Sequence, residues 1–329
     1  MSIRDKQGRS GPLLVFTREV PGTPDTAGFD VIEGPEDRLG GAALFEHISG
    51  AEAVVTMFSD RVDRAFLDAA GPQLRVVANF AVGFDNIDIE ACKERGVVVT
   101  NTPDAVTEGT ADMAWALILA VARRVVEGDR FCRSGDWAAG GPLGMSDFMG
   151  VDLTGRTLHI VGAGRIGAAV AKRSIGWGMR VLYTARSRKW DFELAPLAAE
   201  RVDLDDGLAR ADVVSVHPPL TTETRHLIDA PALSRMKREA IIVNTARGPV
   251  IDEAALVEVL ADRRIFGAGL DVFEREPEIH PGLVGLDNVV MTPHVGSAER
   301  RYREMMTQMV CDNVRAVLLE NREPPNRIA

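Results

Sequence analysis

Three side chains in the last third of the chain are of the types needed to move a proton beside a bound anion. Arg247, in Asn244-Thr245-Ala246-Arg247-Gly248, carries a planar guanidinium that stays charged at any working pH and can grip a carboxylate and a carbonyl oxygen together. His294, in Thr292-Pro293-His294-Val295-Gly296-Ser297, can protonate a developing alkoxide near neutral pH and take the proton back in the reverse direction. Glu276, in GAGLDVFEREP (267–277), can hold the imidazole and favour its charged form. Glu274, two residues earlier, competes for the acid role, and His217 competes for that of the histidine.

A second constellation suits a dinucleotide. The run Gly162-Ala163-Gly164-Arg165-Ile166-Gly167 follows the apolar stretch Thr157 to Val161 and enters the Ala-rich segment Ala168 to Trp177. Between a strand and a helix, such glycines allow a tight turn, close approach of backbone to a pyrophosphate, and close packing of helix on strand. The exposed N–H groups of the helix start then face the phosphates. About 20 residues further on, an NAD enzyme places Asp or Glu on the ribose 2'-hydroxyl. Here the place reads Tyr183-Thr184-Ala185-Arg186-Ser187-Arg188-Lys189, and Asp191 comes several residues too late. Arg186, Ser187, Arg188 and Lys189 suit a 2'-phosphate instead, so the expected cofactor is NADP(H), with NADH bound more weakly.

The elements that must position these groups follow from the hydrophobic rhythm. Short β-branched runs at Leu13 to Phe16, Ala53 to Thr56, Leu74 to Asn79 and Val97 to Thr100 alternate with polar segments of helical length. A second series, Thr157 to Val161, Arg180 to Thr184, Asp212 to His217, Ala240 to Asn244, Gly267 to Val272 and Asn288 to Met291, predicts a doubly wound α/β domain. Between the series, Ala111 to Val126 reads as a long helix entered through Thr107-Glu108, followed by a Gly- and Pro-rich segment, 135–150. The end of the chain reads as a helix from Ser297, as N-cap, to about Glu320, with Pro324-Pro325 as a stop.

Together with VANFAVGFDNID (77–88), NTPDAVTEGTADMAWALILAVARR (101–124) and HPPLTTET (217–224), these motifs resemble the D-isomer-specific 2-hydroxyacid dehydrogenase family, specifically its glyoxylate and hydroxypyruvate reductase branch. The likeness runs along nearly the whole chain. It implies a Rossmann-type doubly wound dinucleotide domain, 107–298, and a smaller flavodoxin-like α/β substrate domain formed by 1–106 and 299–329. The implied activity is NADPH-dependent reduction of a small 2-keto acid, glyoxylate to glycolate or hydroxypyruvate to D-glycerate. The family's roles for arginine, glutamate and histidine fall on Arg247, Glu276 and His294, and its E-x-E-P pattern selects Glu276 over Glu274. By the same resemblance, backbone N–H groups at Val82 and Gly83 hold the substrate carboxylate, with Met57 and Phe58 nearby. Thr110, His217, Pro218, Thr224, Thr245, Ala246, Asp271 and Gly296 touch the cofactor, with Asp271 at the nicotinamide amide. A homodimer is implied as well. In that branch a tryptophan often stands in the loop after the linking helix, whereas here Trp137 is followed by Ala138-Ala139-Gly140-Gly141-Pro142. The altered spacing leaves room for a larger keto acid, such as 2-ketogluconate. The fold also serves nucleotide-sensing corepressors, which form the alternative of a different class.

Composition bounds the rest. A chain of 329 residues exceeds the usual single-domain size, and 46% apolar with 26% charged residues is ordinary globular usage. A net charge of -10 would repel a phosphate backbone, so nucleic acid is not an expected partner. Cys92, Cys132 and Cys311 are far apart and lack metal-site spacing, which suggests neither disulfides nor zinc and fits a reducing cytoplasm. The opening MSIRDKQGRSGPLLVFT has too short an apolar run for an export leader. Met113 to Ala122, the longest strongly apolar stretch, is about half of the roughly 20 residues a bilayer requires, so no membrane span is expected.

Overall fold

The computed structural model describes residues 10–329; the basic segment 1–9, on which part of the export-leader reading rests, lies outside the described residues. The chain folds as two compact units, one covering the chain up to Val106 together with Ser297–Ala329, the other Thr107–Gly296.

In the first unit the described strands are β1 (Leu13–Phe16), β2 (Asp30–Ile32), β3 (Ala53–Met57), β4 (Val76–Phe80) and β5 (Val98–Thr100), all parallel in the order β2-β1-β3-β4-β5. This is the flavodoxin-like order. Every residue of β1, β3 and β4 is buried, as expected of a parallel sheet covered on both faces. The helices α1 (Gly41–Ile48), α2 (Arg64–Ala70) and α3 (Ile89–Glu94) supply Leu44, Phe66, Leu67 and Ala91 to one core with Val54 and Val77. Asp63 and Asp88 cap α2 and α3 by accepting from Phe66 N and Ala91 N. The C-terminal helix, Arg300–Leu318, packs on β4 and β3 through Met306, Val310, Val314 and Val317, a single helical stripe. It starts later than the sequence suggests. Ser297 is not its cap: the Ser297 carbonyl accepts from Glu299 N and Arg303 Nε, making residues 297–299 a turn, and Glu299 precedes the helix without a side-chain cap. The half-buried edge strand β2 had no apolar run to announce it.

The second unit holds β6 (Thr157–Val161), β7 (Arg180–Thr184), β8 (Glu200–Arg201), β9 (Val213–Val216), β10 (Ile241–Asn244), β11 (Gly267–Leu270) and β12 (Val289–Met291), parallel throughout in the order β12-β11-β10-β9-β6-β7-β8. That is the dinucleotide-binding order, whose reversal beside β6 creates a crevice at the carboxyl ends of the strands. Helix α4 (Thr107–Ala122) packs on β10, β11 and β12. Its close seat depends on two glycines: a Cβ at Gly269 would lie 2.7 Å from Leu117 Cβ, and one at Gly267 would lie 2.8 Å from Val121 Cγ1. The helix ends at Ala122 rather than continuing to Val126. Val151 N takes the Ala122 carbonyl, and Arg124 turns into the left-handed region at φ 54, where it grips Glu127 through two hydrogen bonds of 2.7 and 2.6 Å. Chain direction then changes into α5 (Val125–Ser134) and α6 (Asp136–Gly140).

Candidate functional site

The glycine loop leaves β6 and enters helix α7 (Arg165–Arg173). Each glycine has a separate physical reason. Gly162 sits at φ 95, and a Cβ there would come 2.5 Å from Pro218 N, so this turn excludes any side chain. At Gly167 a Cβ would meet the Gly162 carbonyl oxygen at 2.5 Å and Ile160 at 2.8 Å, which is the close helix-strand packing. Gly164 differs: nothing lies within 4 Å of its Cβ position, and it precedes α7 without a side-chain cap. The start of α7, at exposed Gly164 and Arg165 and half-buried Ile166, therefore leaves room at the helix N-terminus of the kind a pyrophosphate would fill. The residues present fit a dinucleotide.

At the end of β7, Arg186, Ser187 and Arg188 are exposed. Arg188 is already engaged: its guanidinium bonds Glu193 at 2.5 Å and lies 3.9 Å over the Trp190 ring. Glu193 also accepts from the Tyr183 hydroxyl at 2.6 Å, and Lys189 N donates to that same hydroxyl. The hydrogen bonds from Arg188 first and Tyr183 second hold the Glu193 carboxyl below its ordinary pKa. Arg186 has no such anchor, although its charge reaches Glu223 beyond β9.

Arg247, Glu276 and His294 come together beyond β10, β11 and β12. Asn244 Nδ2 donates to the Arg247 carbonyl at 2.9 Å, Asn244 Oδ1 accepts from Ala246 N, and Arg247 donates to the Ala246 carbonyl. Gly248 fixes the loop, since a Cβ there would fall 1.9 Å from the Phe273 carbonyl carbon. Beyond β11, Glu276 Oε1 accepts from Phe273 N at 3.0 Å while Oε2 stands 2.7 Å from His294 Nδ1. Burial pushes the Glu276 carboxyl up, but the His294 contact, the Phe273 N–H and the Arg247 charge outweigh it and leave the pKa lowered. With Nδ1 on Glu276, His294 keeps Nε2 for other partners, and its backbone takes the left-handed φ 54. Glu274 points elsewhere, pairing with His226 Nε2 at 2.7 Å.

Asp271 organises the histidine loop from below. Its carboxylate accepts from Thr292 Oγ1 at 2.6 Å, Val295 N at 2.9 Å and Gly296 N at 2.8 Å, while His294 N donates to the Asp271 carbonyl. Burial raises its pKa against these bonds. Thr110 closes the same corner, lying 3.5 Å from the Cβ position of Gly296. The buried Thr245 hydroxyl has no partner, an orphan suited to a bound polar ligand. His217 Nε2 contacts Ser215 Oγ at 2.7 Å, its Nδ1 is buried without a partner, and burial depresses its pKa to about 3, keeping it neutral. Pro218 is buried behind Gly162, whereas the Thr224 hydroxyl closes its own turn by donating to Pro219 O and accepting from Thr221 N.

In the first unit, buried Met57 ends β3, and the turns after β3 and β4 carry half-buried Phe58, Val82 and Gly83. Asparagines hold them from behind: Asn79 Nδ2 donates to Gly83 O, Asn101 Nδ2 to Val82 O, and Asn86 Nδ2 to Met57 O and Asp60 O. Asp60 in turn accepts from Met57 N and Thr17 Oγ1. Sequence reasoning missed these braces, as it missed His226 and Glu253. Asn79 carried a usable signal, a carboxamide inside an otherwise apolar strand.

Residues 115–296 match the family described as D-isomer specific 2-hydroxyacid dehydrogenase, NAD binding domain. The chain is 47% identical over 322 residues to the glyoxylate reductase of Thermococcus onnurineus, covering 95% of this chain and 94% of that protein. Among solved structures, a protein of Thermus thermophilus superposes with a TM-score of 0.89 at 44% identity, covering 96% of this chain and 100% of that one. The NADPH-dependent glyoxylate/hydroxypyruvate reductase of Sinorhizobium meliloti, solved with NADP and malonate, gives 0.81 at 32% identity and 97% coverage of both chains.

Proposed function

Given that the chain belongs to the D-isomer specific 2-hydroxyacid dehydrogenase family, in its glyoxylate reductase branch, we propose that it reduces glyoxylate to glycolate, and hydroxypyruvate to D-glycerate, with NADPH as reductant. The observation that carries the reading is the 2.7 Å His294–Glu276 pair, with Arg247 close enough to bias the same carboxylate, at the strand ends where dinucleotide folds bind ligands. When bound, the nicotinamide cofactor would supply the hydride that reduces the carbonyl carbon. His294 Nε2–H donates its proton to the carbonyl oxygen as negative charge builds there, and Glu276 steadies the ring while it is an imidazolium. Arg247 holds the carboxylate and offsets charge on the oxygen. In the alcohol-oxidising direction His294 is the base. The resemblance alone proposes backbone N–H groups at Val82 and Gly83 as further carboxylate partners; within their own unit their carbonyls are held by asparagines.

For the cofactor, the start of α7 would carry the pyrophosphate, and Thr110, Thr245, Asp271 and Gly296 would line the nicotinamide side. The preference for NADPH is supported by the absence of a carboxylate directly after β7 and by Arg186 and Ser187 on an exposed loop. The Sinorhizobium relative described as NADPH-dependent agrees. A homodimer is proposed from the segment 125–149, where α5 buries none of its residues and Val125, Trp137, Leu143, Met145 and Met149 are exposed. A cytoplasmic location is proposed from the cysteine usage, since Cys92, Cys132 and Cys311 lie far apart in the sequence without disulfide or metal-site spacing.

Initial rates with glyoxylate, hydroxypyruvate, pyruvate, 2-ketogluconate and phosphohydroxypyruvate, each with NADPH and NADH, test this reading. Oxidation of NADPH by glyoxylate or hydroxypyruvate is expected. Turnover confined to a larger keto acid or to NADH would overturn the specificity, and no turnover would favour a nucleotide-sensing binding protein.

A further inference from the structure

We propose that His226 is a positioning residue for this reaction: through Glu274 it braces the turn that carries Glu276 against the loop that carries Arg247. The inference rests on the catalytic reading of those residues. His226 Nε2 lies 2.7 Å from Glu274 Oε1, matching the His294–Glu276 separation of 2.7 Å. The turn 273–276 thus alternates, handing Glu274 to one histidine and Glu276 to the other.

The Glu274 contact is more than an exposed ion pair, which alone would contribute little. The same Oε1 accepts from Glu253 N at 3.3 Å, and Glu274 N returns a bond of 3.0 Å to the buried Glu253 carboxylate at the start of the helix Glu253–Ala261. His226 also donates its own N–H to the Pro249 carbonyl at 2.7 Å, two residues past Arg247. Where the Arg247 loop meets the turn there is no slack, because the Gly248 Cβ position falls 1.9 Å from the Phe273 carbonyl carbon. A displacement of Glu274 therefore moves Phe273 and Glu276 together and presses on Gly248. His226 holds φ 50, a conformation that a side chain adopts only when its surroundings fix it. Its part is to keep the Glu276 carboxylate and the Arg247 loop in register.

The test compares wild type with His226→Ala, His226→Gln, Glu274→Ala and the double alanine variant, measuring kcat for glyoxylate, NADPH affinity and thermal midpoint. Small misplacements of reacting groups cost large rate factors, so His226→Ala is expected to lower kcat about tenfold with NADPH affinity and midpoint near wild type. Glutamine, whose amide can reach Glu274, restores kcat to within about threefold, and the double variant is no slower than either single one, as for groups that act as a unit. The 15N signals of the His294 imidazole shift in His226→Ala, a readout that requires no turnover. Unchanged kcat and His294 signals in His226→Ala, or multiplying losses in the double variant, would overturn the brace. An inactive wild type whose His294 signals still respond to His226→Ala would instead overturn the catalytic reading and leave the brace standing.

Discussion

His294 offers the most direct test of the proposed chemistry. Because Glu276 occupies Nδ1, proton exchange must run through Nε2, and replacement by Ala removes both exchange and orientation. General acid catalysis is worth about 10²- to 10⁴-fold, so His294→Ala should lose kcat in that range while NADPH affinity changes by less than about twofold. Single-turnover and cofactor-titration measurements separate the two, and unchanged turnover would falsify the assignment. The cofactor reading is weighted towards Arg186, since Arg188 already serves Glu193 and Trp190. Arg186→Ala should raise the KM for NADPH by about tenfold or more and leave that for NADH nearly unchanged. Equal weakening of both would contradict a 2'-phosphate site.

Within elements, the glycine loop separates packing from binding. Gly167→Ala places a methyl group 2.5 Å from a backbone oxygen, so the α7–β6 contact must open. Overpacking of this kind costs about 1 to 3 kcal/mol, and a lower thermal midpoint together with weaker NADPH binding is expected. Gly164→Ala meets nothing within 4 Å and should melt normally while binding NADPH about tenfold more weakly, because the methyl group occupies the space of the pyrophosphate. Calorimetry of both variants distinguishes them. Strand β6 also carries an acid sensitivity. His159 is fully buried against Thr184 and Gly207, and burial lowers its pKa to about 4. The folded imidazole stays neutral where the unfolded one is protonated, so stability is full above about pH 6.5 and declines from there towards pH 4, by about 3 kcal/mol. His217, depressed to about 3, adds the same sign. Thermal midpoints of His159→Gln should fall less steeply than wild type across this window; an identical slope would count against the buried-imidazole account.

At the scale of the whole molecule, the segment 125–149 carries a cluster of exposed apolar side chains. Met145 is 98% exposed and Leu143 46%, on a stretch that a soluble monomer would be expected to bury or to make polar. If the proposed dimer uses this segment, Leu143→Asp combined with Met145→Asp should shift sedimentation from dimer to monomer, since a carboxylate buried without a partner costs several kcal/mol. A dimer that survives both changes would place the interface elsewhere.

Much of this architecture was legible in the residues themselves. The strands β1, β6 and β7 run where the apolar runs lie, residue for residue, because buried parallel strands are written as nearly continuous apolar segments. The glycine loop, Arg247 and His294 could be named as candidates because their chemistry demands particular residue types at particular places, and Glu276 because of the family pattern around it. What remained hidden depends on distant partners. That α4 stops at Ala122 is decided by Val151 and Glu127, and no periodicity records those bonds. The edge strands β2 and β8 exist because a neighbouring strand lends them hydrogen bonds, their own two or three residues being too few to signal a strand. The family's E-x-E-P pattern favoured Glu276 for His294, but that Glu274 serves His226 was decided only by the fold: the two glutamates are two residues apart in sequence, and the turn between Phe273 and Pro277 sends them to different histidines.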